Sequence, residues 1–261
     1  MKLLSIIQLN TRHFKHYDAI SHYLTQELTD IICLQEVATG ILTSSRINNP
    51  VALTDLLYHY AFGPRYGTIS ADYLSQMYAI ISKYPIISQK MYYVSDYCII
   101  SESDALVATG MTDDANLKSE SFHIDQTLPS VLECMIDIEI SVRCMTTKFP
   151  ASPDHKESEH MVQHAQLIND IVGTSESKIA TILLDCNITP TAQVIQYLYK
   201  DRDTSHDLHN TLNPTLHPFQ NIPAEGLKVD YIFTQCDIIE YTVDQVNLSD
   251  HYPVRCSLAI K

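Results

Sequence analysis

Short, nearly unbroken apolar runs of strand length recur from one end of this chain to the other, and five of them end or begin in a residue able to bind a metal ion or a phosphate. Residues 179–184 show it most plainly, Ile-Ala-Thr-Ile-Leu-Leu running straight into Asp185. A run of this length is too short for a membrane helix and fits a strand buried on both faces. Residues 2–9 and 30–34 read the same way. Residues 77–82 and 86–94 predict strands on either side of Tyr84-Pro85, and residues 131–138 and 140–147 predict a pair joined by a tight turn. Three more strands are expected near 229–234, 238–246 and 253–260.

Helical spacing fills the intervals. Phe14, Tyr17, Ile20, Tyr23, Leu24 and Leu28 repeat at helical intervals over 14–28, and helices are also expected over 51–61, 157–172 and near 191–199. Residues 97–128 carry no clear period and read as a long excursion over one rim, while 201–227 form a polar loop. No repeat, low-complexity tract or linker interrupts residues 1–261, which predicts a single domain. Many strands with helices between them predict an α/β (α+β) fold with two packed sheets covered by helices.

Charge and composition remove several function classes. Seventeen Lys and Arg against 31 Asp and Glu give a net charge of −14. Such a chain lacks the broad basic footprint of a nucleic-acid binder, and its carboxylates are compatible with a divalent metal. Six Gly leave no material for a Gly-rich dinucleotide or P-loop cradle. The seven Cys include no C-x-x-C pair and several lie in apolar strands, so buried free thiols in a reducing, cytoplasmic compartment are expected. The opening residues imitate a signal peptide, but Gln8, Asn10 and Arg12 break the stretch and no small-residue cleavage site follows.

The polar residues at the run ends are Asn10, Glu36, Asp185 with Asn187, Asp230, and Asp250-His251. Strand ends of packed sheets form a rim where side chains distant in sequence meet one ligand. Each alone is equally explained as a turn residue, a surface ion pair or a solvated loop side chain. In order along the chain, however, Asn10, Leu34-Gln35-Glu36, Asp185-Cys186-Asn187, Val229-Asp230-Tyr231-Ile232 and Ser249-Asp250-His251-Tyr252-Pro253-Val254 resemble the endonuclease/exonuclease/phosphatase family, with residues 77–86 similar to its strand pair before the central excursion. The resemblance runs from residue 3 to residue 255.

It implies a DNase I-like four-layer α-β-β-α sandwich of two mixed β-sheets flanked by helices. It also implies a Mg²⁺- or Mn²⁺-dependent hydrolase acting on phosphate ester bonds, a nuclease or phosphatase and more narrowly a phosphodiesterase. By that likeness Glu36, Asp250 and Asn10 form the metal shell, Asp185 orients and deprotonates the attacking water, and Asn187 hydrogen-bonds a phosphate oxygen. Asp230 holds the ring of His251, whose charged form stabilises the phosphoryl group. The implied partner is a phosphate-ester substrate: nucleic acid, or a small phosphodiester, phospholipid head group or inositol phosphate. No obligate protein partner is inferred.

Three departures qualify the likeness. Many relatives carry Thr-His-Leu where this chain has Thr147-Lys148-Phe149, which makes Lys148 a candidate phosphate contact in place of a His. Met77-Tyr78-Ala79-Ile80 stands where relatives often have Gly-Asn-Ala-Ile, and the absence of Trp before Asn10 argues against an abasic-site endonuclease. A non-catalytic phosphate- or metal-binding protein retaining the fold is the competing expectation. His160 and His164, four apart on one helix, lack the Glu of a metalloprotease motif and read as solvated helix residues, and His206, His209 and His217 as solvated loop residues.

Overall fold

The computed structural model describes residues 2–40, 58–65, 74–95, 98–100, 130–150, 157–173, 179–199, 203–204, 210–216 and 227–261. Strand β1 (Lys2–Asn10) leads through a 3-10 turn (Arg12–Phe14) into α1 (Tyr17–Glu27), and β2 (Ile31–Gly40) follows. Next come β3 (His59–Arg65), β4 (Leu74–Ser82), β5 (Ile86–Ser95), β6 (Cys98–Ile100), β7 (Ser130–Asp137) and β8 (Ser141–Lys148). Helix α2 (Glu159–Gly173), β9 (Ala180–Asp185), α3 (Gln193–Tyr199), β10 (Asp203–Thr204), β11 (Asp230–Thr234), β12 (Asp237–Val243) and β13 (Val254–Ile260) complete the order.

Two mixed sheets result. One runs β12-β13-β1-β2-β4-β3 and the other β10-β11-β9-β8-β7-β5-β6. The β1/β2 and β8/β9 pairs are parallel, because α1 and α2 carry the chain back between them, and the other pairings are antiparallel.

Alternation along the strands builds three apolar layers. Leu4, Ile6, Ile31 and Cys33 of the first sheet meet Cys134, Val142, Cys144, Leu183 and Ile232 of the second in the layer between the sheets. The opposite face of the first sheet, with Ile7, Leu9, Ile32 and Leu34, packs on Ile20 and Leu24 of α1. The outer face of the second, with Met145, Ile182, Leu184 and Phe233, packs on Met161, Ala165 and Ile168 of α2 and Val194 and Leu198 of α3. Each fully buried Ile or Leu contributes about 1.5–3 kcal/mol of transfer free energy. The four layers are therefore helix, sheet, sheet, helix, with both sheets buried on two faces as the apolar runs require.

Three local expectations are refined. Residues 51–57 of the anticipated helix lie outside the described residues, while 59–61 belong to β3. That strand registers on β4 from His59↔Ser82 to Arg65↔Gln76, so sheet pairing overrides the local apolar spacing. It lies at the end of its sheet, the kind of position to which a Pro within a strand such as Pro64 is confined. Residues 77–82 and 86–94 are strands, but they do not pair with each other: β4 belongs to the first sheet and β5 to the second. Tyr84-Pro85 is a crossover between layers, pinned by the Asp137 amide donating to the Pro85 carbonyl at 2.9 Å. Of the expected excursion, residues 98–100 form β6 against β5, and 101–128 lie outside the described residues. Among the described residues no helix is long and apolar enough to cross a membrane.

Candidate active site

The layer between the sheets changes character at one end. On β1 the side chains facing it are Leu4, Ile6, then Gln8 and Asn10; on β8 they are Val142, Cys144, then Thr146 and Lys148; on β9, Leu183 then Asp185. On β2, Ile31 and Cys33 give way to Gln35, and β11 begins with Asp230 before Ile232. Parallel pairing sets Asn10 beside Gln35 and Lys148 beside Asp185, and antiparallel pairing sets Asp230 opposite Asp185. The polar ends of five strands thus share one rim.

Backbone irregularities aim the remaining groups. The β2/β4 ladder shifts register between Leu34 and Val37, and inside that bulge Glu36 has φ 51°. A non-glycine residue in this left-handed region costs roughly 1–3 kcal/mol, sustained here because Thr11 Oγ1 donates to the Gln35 and Glu36 carbonyls at 3.1 and 2.9 Å. The bulge takes Glu36 out of the strand alternation and toward Lys148, whose Nζ it binds. Asn187, also at φ 52°, closes a turn after β9 in which its backbone N–H donates to Asp185 Oδ1 at 3.0 Å while its Nδ2 donates to the Phe149 carbonyl at 2.8 Å.

Asp185 is the buried centre. Asn10 Nδ2 donates to its Oδ2 at 2.9 Å, Lys148 Nζ lies 3.1 Å from the same oxygen and His251 Nε2 3.8 Å away. Burial alone would raise this carboxyl, but Lys148, His251 and the Asn10 bond outweigh burial and the repulsion from Glu36, holding it below the ordinary carboxylate range. His251 is equally buried. Burial favours its neutral ring, yet the field of Asp230, then that of Asp185, the Asp230 hydrogen bond and the field of Asp250 push it up to about 10. Its Nδ1 lies 2.8 Å from Asp230 Oδ2, so at neutral pH the ring is an imidazolium donating to Asp230 with Nε2–H turned toward Asp185. The loop bearing it is clamped by residues 211–213: Asn213 N–H donates to the Asp250 carbonyl at 2.8 Å and Tyr252 N–H to the Thr211 carbonyl at 2.6 Å.

Asp250 accepts from Ser249 Oγ at 3.0 Å and pairs with Arg12 Nε at 3.4 Å, and Arg12 Nη1 also donates to the Leu216 carbonyl at 2.5 Å. Direct contacts therefore join Asn10, Glu36, Lys148, Asp185, Asp230 and His251. Asn187 is attached through Asp185, and Asp250 through the charge field on His251 and through Arg12. The ligand atoms of Asp185, Asp230 and His251 all lie within 4.8 Å of one another. That convergence is close enough for the three to share one ion or one proton-transfer path. Glu36, Asp250 and Asn10 also offer hard oxygens of the kind that Mg²⁺ or Mn²⁺ takes, with Asp250 reached only through Arg12 and His251.

Other expectations resolve differently. His164 is not solvated: it is fully buried, 3.2 Å from Thr147 Oγ1 and stacked on Phe149 at 4.5 Å between ring centroids, whereas His160 is exposed. It is a core residue. Residues 206, 209 and 217 lie outside the described residues. Tyr78 packs within the inter-sheet layer and its hydroxyl accepts the Lys148 backbone N–H at 3.2 Å, so the bulk at this position anchors the end of β8. Cys33, Cys134, Cys144, Cys186, Cys236 and Cys256 are buried free thiols. Residues that strand reading passed over are Gln8 and Arg12. The signal for Gln8 was present in the alternation Leu4, Ile6, Gln8, Asn10, which puts an amide on an otherwise apolar face.

The sequence profile described as the endonuclease/exonuclease/phosphatase family matches residues 7–251. The chain belongs to the endonuclease/exonuclease/phosphatase family. Among solved structures, a family member from Bacteroides vulgatus superposes with a TM-score of 0.68 at 17% identity, covering 100% of both chains. A mannosyl-6-phosphatase from Bacteroides thetaiotaomicron gives 0.67 at 15% identity over 98% of this chain and 100% of its own. The catalytic domain of human Nocturnin gives 0.64 at 13% identity over 98% and 93%. No curated protein matches the chain. At these identities the structures establish the DNase I-like fold, and the family is one of phosphoesterase hydrolases.

Proposed function

We propose that this family member is a divalent-metal-dependent phosphoesterase that hydrolyses a small phosphate ester by in-line attack of water at the rim between the sheets. The observation that carries the reading is the buried group Asp185, Asp230 and His251, in contact with Asn10 and Lys148 at the ends of strands from both sheets. Assembling so many charged groups in a dry rim is costly unless a charged ligand uses them.

In this reading Asp185, ionised at neutral pH, orients the attacking water and accepts its proton. Asn10 and the Asn187 backbone amide keep both Asp185 oxygens in place. His251, charged and fixed by Asp230, donates from Nε2 to the phosphoryl oxygens as negative charge builds there, and the Lys148 ammonium and the second Nδ2 hydrogen of Asn187 add to that field. Glu36, Asp250 and Asn10 would hold the metal ion, which would supply Lewis-acid polarisation of the phosphate ester. A small ester is favoured over a polynucleotide because the chain carries a net charge of −14 and so repels an extended polyanion.

The test is hydrolysis across sugar phosphates, inositol phosphates, phospholipid head-group esters, nucleotides, RNA and plasmid DNA, with Mg²⁺, Mn²⁺ or EDTA, by the protein and by Asp185→Asn. Metal-dependent turnover of a small ester that is lost in the variant supports the reading. Turnover confined to nucleic acid overturns the substrate class, and metal binding with no turnover anywhere moves the chain to a non-catalytic binding role.

A further inference from the structure

We propose that Gln8 is a positioning residue, whose side-chain amide fixes the orientation of the Asp230 carboxylate and through it the imidazole of His251. The inference deepens the phosphoesterase reading and rests on it for its kinetic consequence only.

Gln8 is fully buried on β1 in the layer between the sheets. Both hydrogens of its Nε2 are committed, one to Asp230 Oδ1 at 2.8 Å and one to Gln35 Oε1 at 3.1 Å. Gln35 is held in turn by donating from Nε2 to Thr146 Oγ1 at 2.7 Å. The resulting chain crosses the interface twice, from Thr146 of the second sheet to Gln35 and Gln8 of the first and back to Asp230 of the second. The amide cannot be turned over, since that would set its oxygen against two acceptors at once.

The two oxygens of Asp230 divide the work. Oδ2 holds His251 Nδ1 at 2.8 Å and Oδ1 is held by Gln8. The terminal torsion of an Asp side chain has a broad well, so a carboxylate keeps one orientation only when donors fix it. Thr211 Oγ1 accepts the Asp230 backbone N–H at 3.1 Å, which fixes the main chain and leaves Gln8 as the side-chain donor other than His251 itself that sets the carboxylate plane. The Gln8 oxygen itself is buried with no hydrogen-bond partner among the described residues. A residue kept for packing alone would not carry that penalty.

The test uses the full chain with Gln8→Met, which keeps the length and removes the donor. The first readout is the downfield proton resonance of the His251 Nδ1–H, assigned by its loss in His251→Gln. In Gln8→Met it is expected to shift and to exchange with water about tenfold faster or more. The second is kinetics on whichever ester the wild type turns over: kcat falls by about tenfold or more with KM within about twofold, and the same substitution in an Asp230→Asn background causes no further fall. Gln35→Met, which loosens Gln8 without touching Asp230, is the second variant and shows the same changes at smaller amplitude, so the test stands if Gln8→Met does not fold. An unchanged resonance in folded Gln8→Met or Gln35→Met, with or without a lowered melting temperature, overturns the proposal, as does an equal loss of kcat in the Asp230→Asn background. The resonance needs no substrate, so failure of the phosphoesterase reading and failure of this inference are distinguishable.

Discussion

Lys148→Met removes an ammonium that sits on two carboxylates at once. Lys148 and Glu36 have side chains 11% and 12% exposed and Asp185 is wholly buried, so the loss leaves charge stranded where water scarcely reaches. Breaking a buried ion pair from one side costs about 3–5 kcal/mol. Asp185 retains Asn10, the Asn187 amide and His251, which places the expected cost near the lower bound, about 3 kcal/mol. At about 2–4 °C per kcal/mol for a domain of this size, the melting temperature falls by about 6–12 °C. Urea unfolding of both proteins in EDTA at neutral pH measures the difference. The sign of its pH dependence follows from Asp185, whose native value lies below the unfolded 3.8. Its stabilisation is complete above the unfolded value and is lost as pH falls through the native one, so the gap between the proteins narrows in acid. Excess Mg²⁺ restores part of the stability by binding the freed oxygens of the native state. A difference under about 0.5 kcal/mol at neutral pH, or one that widens in acid, refutes the reasoning.

Further outcomes follow from the same geometry. Asp185→Asn lowers kcat at least about 10²-fold while circular dichroism stays native, because it removes the proton acceptor but not the packing. The His251 imidazolium, raised to about 10, keeps activity on a plateau through neutral pH that declines only as pH approaches that value. Asp230→Asn removes the chief opposing force to burial, so the alkaline limb of the pH–rate profile moves to lower pH. A thiol reagent modifies no more than one of the seven Cys in the native protein and all seven in denaturant, since six are buried.

The legible part of the fold was what period and length decide. Residues 31–34 and 180–184 announced two-sided burial by unbroken apolar runs, and α1 its one-sided packing by Ile20 and Leu24. Residues 59–61 misled because a strand at the end of a sheet needs no strict alternation of its own, its place being fixed by β4. Tyr84-Pro85 marked a break correctly, but nothing local tells a hairpin from a crossover between sheets. At the site, the strand-end polar residues were visible one by one. What was not visible is who pairs with whom: that Lys148 reaches Glu36 and Asp185 depends on the β2 bulge, and that Gln8 reaches Asp230 depends on two sheets meeting face to face. His164 illustrates the converse, a polar residue on a helix whose burial is decided by Phe149 and Thr147 of another layer.

The most direct test of the central claim is a single turnover of the best substrate in ¹⁸O-labelled water, with the phosphate and alcohol products weighed by mass spectrometry. Attack of water at phosphorus within this rim predicts one ¹⁸O in the phosphate product, none in the alcohol, and neither product from Asp185→Asn. Label in the alcohol, or equal product formation by the variant, contradicts it.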